Sequence, residues 1–312
     1  MSDNNIDKVS LRESHENCRS DNNRFNYTIQ ENDKSVKEIL LDELNFSRRL
    51  CVKLEESGKI LLNEKPVKLK KRVYIDDILT VYFEDEKEDE YDPVEMPLKI
   101  LYEDESMLIV DKPPFMVVHP TKSHFYDTLA NGVRFYFDSH NIKSKIRLVN
   151  RLDMNTSGIV IIAKNSFIHN ELSKQMKENT VEKYYYAIAE GTIIQDKGTI
   201  DAPITRLNDE DIMRTVDPSG KESITHYEVI DRFDDMTLLR LKLETGRTHQ
   251  IRVHLKHIRH PIVGDSLYNK ESSLINRQAL HCSEMSFTHP MTKKRINIKA
   301  ELPEDFKKII KN

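Results

Sequence analysis

Residues 148–165, LVNRLDMNTSGIVIIAKN, place an arginine and an aspartate one residue apart, then a small polar run, a glycine and an apolar stretch. The apolar stretch reads as a buried strand. In extended chain, residues i and i+2 point to the same side, so Arg151 and Asp153 face one cleft at the strand mouth. Thr156 and Ser157 hold the loop by local hydrogen bonds, and Gly158 permits a tight turn into the strand. Taken alone, the stretch reads equally as a loop-capping aspartate beside a surface arginine.

Outward from this strand, short strands and helices alternate. LKILYEDESMLIVDKPP (98–114) reads as two strands about a turn at Glu103–Ser106. SFIHNELSKQMKEN (166–179) is an amphipathic helix with Phe167, Leu172 and Met176 at core positions. EKYYYAIAEG (182–191) is a strand ended by glycine, and further strands are expected at 222–231 and 236–244. THQIRVHLKHI (248–258) has helical spacing that buries Ile251, Leu255 and Ile258. The expected class is α+β, a mixed, mainly antiparallel sheet with flanking helices.

A separate small unit precedes it. SVKEILLDEL (35–44) sets Val36, Ile39, Leu40 and Leu44 on one helical face, with Ser35 as N-cap and Asn45 as its end. Ser47 caps a second helix, stopped by Gly58. KILLNEKPVKL (59–69) is strand, turn and strand, with Asn63 to Pro66 in the turn, and DDILTVYFED (76–85) is one more strand. EDEKEDEYDPVEMP (84–97) is acidic, holds two prolines, and reads as an extended, solvated linker. The expected divisions are a disordered tail at 1–24, a small α/β domain at 25–88, a linker at 89–97 and the large domain at 98–306.

The 312 residues are 38% hydrophobic and 32% charged, with a net charge of −4, which suits a chain that buries a core and does not as a whole attract nucleic acid. The charge is local. Residues 46–72 hold nine lysines and arginines against three glutamates, a net of +6. Arg48, Arg49, Lys53, Lys68, Lys70, Lys71 and Arg72 read as a phosphate-facing surface, the plainer reading being a solvated helix face. Cys18, Cys51 and Cys282 are scattered and odd in number, which points to a reducing, cytoplasmic setting without a disulfide framework or zinc site. No apolar run approaches the roughly 18 residues of a membrane span, and the polar N-terminus has no signal-peptide core.

Two resemblances follow. The helix, Ser-Arg-Arg, helix, Gly, Ile-Leu-Leu-Asn and Asp-Asp-Ile-Leu of the small unit resemble the S-four-like RNA-binding module of ribosomal small-subunit protein four. DKPPFMVVHP (111–120), NRLDMNTSGIVIIAKN (150–165), KYYYAIAEG (183–191), TGRTHQIRVHLKHIRHPIVGD (245–265) and ALHCSEMSFTHP (279–290) together resemble the RluA/RluD-type RNA pseudouridine synthases. That resemblance implies the pseudouridine synthase fold and an isomerase without a cofactor. Its partner is structured RNA, ribosomal RNA before transfer RNA, and no obligate protein partner is implied. It implies Asp153 as catalytic carboxylate and Arg151 as the arginine that fills the space of the extracted base. Tyr185 becomes the tyrosine that stacks on the base, Arg252 the partner of the carboxylate, and Leu280 an apolar pocket wall. Asn150 stands where the family commonly has histidine. Two rival readings are a metal hydrolase built on His249, His254, His257 and His260, and an inactive RNA binder. Arg252, Lys256 and Arg259 among the histidines would repel a cation, and an inactive member would have lost part of the Asp153, Tyr185 and Arg252 set.

Overall fold

Serine hydroxyls open the first two helices, as the sequence predicts. Ser35 accepts from the Glu38 N–H at 3.2 Å while the Glu38 carboxylate accepts from the Ser35 N–H at 2.7 Å, a reciprocal cap. Ser47 accepts from the Leu50 N–H at 3.2 Å. The computed structural model describes residues 24–83, 91–208 and 212–311. The expected tail therefore lies outside the described residues except for Arg24, as does the first part of the expected linker. The chain divides into two units between Asp85 and Glu86.

In the first unit the elements are β1 (Arg24–Thr28), β2 (Lys34–Ser35), α1 (Val36–Glu38), α2 (Arg48–Glu56), β3 (Ile60–Leu62), β4 (Lys65–Pro66), β5 (Arg72–Val73) and β6 (Ile78–Tyr82). The regular helix expected over 35–44 instead widens after Glu38 into a π-wound segment, Ile39–Glu43, in which the Leu44 N–H bonds to the Ile39 carbonyl at 3.0 Å. Ile39, Leu40, Leu44 and Phe46 are all buried by that winding. The β3–β4 turn is two residues rather than four. Asn63 and Glu64 have φ of 48° and 66°, the mirror-type turn that matches strand twist, so Pro66 already pairs with Leu61. Neighbouring strands run β1-β6-β3-β4, with β1 paired to β6 from Arg24–Tyr82 to Thr28–Ile78.

The second unit adds β7 (Lys99–Glu103), β8 (Met107–Lys112), α3 (Leu129–Ser139), β9 (Arg147–Leu148), β10 (Ser157–Ala163), α4 (Ser166–Lys177), β11 (Glu182–Glu190), β12 (Lys197–Asp201) and β13 (Ile204–Arg206). It continues through β14 (Arg214–Val216), β15 (Ile224–Phe233), β16 (Met236–Leu243), α5 (Gln250–His257), β17 (Leu280–Thr288), β18 (Arg295–Lys299) and α6 (Glu304–Lys311). The main sheet runs β12-β15-β16-β11-β17-β10-β8-β7, with β18 on β17 and β9 on β10. Its pairing is antiparallel except where β10 runs parallel to β17. This is the α+β class expected above, a mixed, mainly antiparallel sheet with flanking helices. Every residue of β10 is buried. Val160 and Ile162 of β10, with Leu108 and Val110 of β8, pack on Leu129, Val133 and Phe137 of α3.

Three expectations are corrected. The linker does not stay solvated to residue 97: Tyr91 packs on the α3 core, the Asn131 amide donates to Asp92 O at 2.8 Å, and Val94 N–H bonds to Asn131 O at 3.2 Å. Its tyrosine and methionine supply apolar surface that helix α3 covers. The large domain does not end at residue 306, because Phe306 and Ile309 of α6 are buried. Met176 and Ile258, expected in the core, are half-buried; Met176 instead lines a cavity. No helix among the described residues is long and apolar enough to cross a membrane.

Gly158 shows why the β10 mouth needs glycine. Its φ is +118°, and an added Cβ would run into the backbone carbonyl of Cys282, where β10 meets β17. Gly158→Ala is expected to lower stability by about 3 kcal/mol, from backbone strain plus overpacking. A urea melt giving a midpoint shift of that size is the check; an unchanged midpoint refutes the close-approach account.

Candidate active site

The β10 mouth opens on a cavity of about 1000 Å³, lined among others by Val118, Arg151, Asp153, Lys183, Tyr185, Leu243 and His249. That is large for a ligand site, at the top of the roughly 300–1,000 Å³ range. Arg151 and Asp153 both line it, together with Asn150 and Leu152 of the same loop. Arg151 is exposed, and the Asp153 side chain is 30% exposed.

The loop between them and the strand is pinned from below. Lys112 is fully buried, and its ammonium donates to the carbonyls of Pro113, Met116 and Met154 at 2.8, 2.8 and 3.0 Å. Burial, then the charge of Arg277, pull Lys112 down to about 7, with Asp153 and Asp111 opposing. Three carbonyl acceptors use all three N–H bonds of the charged amine. Arg277 donates to Asn155 O at 3.2 Å and is itself held by Asp305 of α6 at 2.6 and 2.9 Å. Thr156 N–H closes a turn onto Asp153 O at 3.0 Å, and Gln278 donates to the Thr156 hydroxyl.

Arg252, on the first turn of α5, donates through NH1 to Asp153 Oδ2 at 3.0 Å. Its Nε and NH2 grip Asp265, both at 2.7 Å. Asp265 is completely buried and also accepts from the N–H groups of Leu267 and Tyr268. Burial works against the Arg252 charge, but the bonds and charge of Asp265, with Asp153 adding, hold it above its ordinary range. The guanidinium also lies 5.0 Å from the Tyr268 ring centre. His249 Nε2 is 3.8 Å from Asp153 Oδ2, and burial lowers its imidazole, which stays neutral. Tyr268 OH accepts from the Arg214 N–H and meets His249 Nδ1 at 2.8 Å.

Tyr185 is 8% exposed and lies on β11 facing the cavity, while Tyr184 faces the opposite side under Arg240. Burial first, then the adjacent Cys282 sulfur, push the Tyr185 hydroxyl well above its usual value. The residue therefore stays a phenol and offers a ring face. The β11–β17 register breaks beside it: Tyr184 pairs with Glu284 but Tyr185 with Cys282, so Ser283 is a bulge. Cys282 and Met285 thereby share one face of the sheet.

The structure thus brings Asp153, Tyr185 and Arg151 to one cavity, with Arg252 behind Asp153 and bonded to it. Leu280 is placed differently. It is buried at the start of β17 beside Ala187, and the apolar lining comes from Val117, Val118, Leu148, Leu243 and Met285. Leu280 shares the face of Tyr185 and Cys282 but pairs one step farther along β11, with Ala187, and does not line the cavity. Asn150 is structural, its amide donating to Ile159 O at 3.0 Å and accepting from the Ile161 N–H at 2.8 Å. His254 is buried on Thr225 and Ala202 O, and His260 contacts Glu190 O. Among the described residues no cluster of three His, Cys, Asp or Glu side chains is arranged to hold a metal ion. Asp265, Lys112, Arg277 and Asp305 were missed by sequence reasoning. The one signal for Asp265 was a lone acid closing the apolar run PIVGD.

Comparison with known proteins points one way. A family model described as RNA pseudouridylate synthase matches residues 106–257. A Bacillus subtilis (strain 168) protein described as the uncharacterized RNA pseudouridine synthase YjbO is 41% identical over 281 residues, covering 89% of this chain and 98% of that one. Ribosomal large subunit pseudouridine synthase D of Vibrio cholerae is 33% identical over 288 residues, 88% of each chain. Human RNA pseudouridylate synthase domain containing 1 superposes with a TM-score of 0.56 at 27% identity, over 66% of this chain and 83% of that one.

Breaking the buried Arg252–Asp265 pair should be costly to the fold. Asp265→Asn is expected to lose about 3 kcal/mol of stability, whereas Asp153→Asn, at the open end of the same arginine, changes it by less than about 1 kcal/mol. Thermal unfolding of the two variants side by side checks this; equal shifts would refute the assignment of Asp265 as the anchor.

Proposed function

Because the chain belongs to the RluA/RluD-type RNA pseudouridine synthases, isomerases of RNA, we propose that it converts uridines of large-subunit ribosomal RNA to pseudouridine with Asp153 as the catalytic carboxylate. The observation that carries the reading is the Asp153–Arg252–Asp265 chain at the cavity mouth. The reaction breaks the ribose C1′–N1 bond, turns the base and joins C1′ to C5. N1 gains a proton and C5 loses one, so atoms balance without donor or cofactor. Attack on C1′ and removal of a ribose proton both start from an ionised carboxylate. The Arg252 guanidinium, fixed by Asp265, holds that carboxylate in place with one charge-assisted bond.

Reaching the base requires pulling the nucleotide from its stack, at a cost of a few kcal/mol. Tyr185 offers a buried ring on which the base stacks, and Arg151, exposed at the cavity edge, occupies the vacated space. The name of the Vibrio cholerae relative supports ribosomal RNA as substrate; transfer RNA is the alternative.

The first unit is proposed as an S-four-like RNA-binding domain. Arg48, Arg49, Lys53, Lys68, Lys70, Lys71 and Arg72 are all exposed. Glu55 of α2 accepts from the Leu69 N–H at 2.7 Å, which holds the 68–72 segment beside the helix and joins the two basic stretches. Arg72 is tied to Asp33, so the lysines carry more of the phosphate contact.

Unmodified large-subunit ribosomal RNA carrying tritium at uridine C5 should release tritium to water with the wild type and not with Asp153→Ala. Release by Asp153→Ala at the wild-type rate would sink the role of Asp153, and release from transfer RNA alone would redirect the substrate. Lys70→Ala with Lys71→Ala should weaken RNA binding and lower its salt slope by about one to two, leaving single-turnover kcat at saturating RNA unchanged.

A further inference from the structure

Lys183 lies on β11 two residues before Tyr185, on the same face of the sheet, and lines the same cavity. It is 8% exposed. Its ammonium makes no hydrogen bond or ion pair among the described residues. Lys112, also deep in this unit, has three carbonyl partners; Lys183 has none. Burial of the side chain lowers its affinity for protons, while the nitrogen itself stays open to the cavity. An arriving anion would offset that lowering.

Its position selects the anion. The Asp153 carboxylate is engaged by Arg252, whereas Lys183 Nζ faces the Gly246 turn. A Cβ added at Gly246 would lie 3.8 Å from Lys183 Nζ with nothing else in contact, so open space separates the amine from the Gly246 turn. Beyond that turn the cavity shares Gly246, Arg247 and Thr248 with a second cleft of about 550 Å³. Lys221 and Arg247 line this cleft, and no described carboxylate does. Arg247 is oriented by its Nε, which donates to Glu222 O at 3.0 Å. The Glu222 carboxylate, exposed at the cavity edge, makes no ion pair among the described residues.

We propose that Lys183 and Arg247 form a phosphate subsite at the Gly246 turn, which holds the phosphodiester beside the extracted uridine and leads the RNA strand into the second cleft over Lys221. The subsite rests on the RNA pseudouridine synthase reading. With the ribose at Asp153 and the base on Tyr185, the backbone charge runs past the Gly246 turn toward Arg247. The buried amine supplies a charge-assisted bond in a region of low dielectric, stronger than a surface lysine gives. The contact is blind to base identity and sets the register of the strand.

The test is single-turnover tritium release from C5-tritiated, unmodified large-subunit ribosomal RNA over a potassium chloride series. Lys183→Met should lower kcat/KM by about tenfold to a hundredfold, as for loss of a charged hydrogen bond. It should also reduce the slope of log(kcat/KM) against log salt by about one. The free variant should melt no lower than the wild type, since the change removes an amine that bonds no described residue. Lys183→Arg should restore the slope, and Gly246→Val, which fills the open space, should lower kcat/KM without lowering the melting temperature. A Lys183→Met loss confined to kcat at saturating RNA, with the slope intact, would overturn the subsite, as would a lowered melting temperature. No release by the wild type would strike the isomerase reading and the subsite with it; release by the wild type with an unaltered Lys183→Met slope strikes the subsite alone.

Discussion

One guanidinium organises this structure. Arg252 has a buried carboxylate on one side and a solvent-facing carboxylate on the other, and it does different work with each. With Asp265 it forms a two-point fork in which every nitrogen and oxygen has a fixed partner, so the side chain cannot swing. With Asp153 it makes a single bond at the end of that fork. That bond, 3.0 Å long, meets the carboxylate with a charge already anchored, so no reorganisation is needed to place it. The site is thus prepared by the fold before substrate arrives.

The same logic holds the backbone that carries Asp153. The loop has little regular pairing, yet the carbonyls of Met154 and Asn155 accept from Lys112 and Arg277, two buried cations on different elements. Arg277 passes the constraint on to Asp305 at the start of α6. A C-terminal helix far along the chain from the catalytic loop therefore bears on where the carboxylate sits. Stability and chemistry meet at these residues, and substitutions there are expected to affect both.

Much of this was legible in the sequence because local rules decided it. The buried run after Gly158, the serine caps at Ser35 and Ser47 and the strand bearing Tyr185 each follow from patterns within ten residues. What escaped depends on partners distant in the chain. Nothing around Asp265 announces that it grips Arg252 thirteen residues earlier, because a lone aspartate after an apolar run is also an ordinary turn residue. Lys112 looks like a surface lysine until the Asp153 loop folds over it. The docked stretch at 91–97 defeated a reading based on charge and proline, since the few apolar side chains there find a surface on α3 that composition cannot reveal. Leu280 keeps the phase of Tyr185 but pairs with Ala187, one step farther along the sheet, and a family motif gives order along a strand without its reach into a cavity.

That phase has a consequence of its own. Strand β17 serves β10 through His281 and Cys282 and serves the far half of β11 through Met285 and Ser286, and the two halves are out of step by one residue. Ser283 absorbs the difference. The strand is accordingly intolerant of length change at a place where nearly any small side chain would fit: deleting one residue would exchange Met285 for its neighbour in the cavity wall or unseat β10 from the sheet. In an evolving lineage this segment can drift in composition but not in count, so its spacing is a more durable mark of the site than its letters.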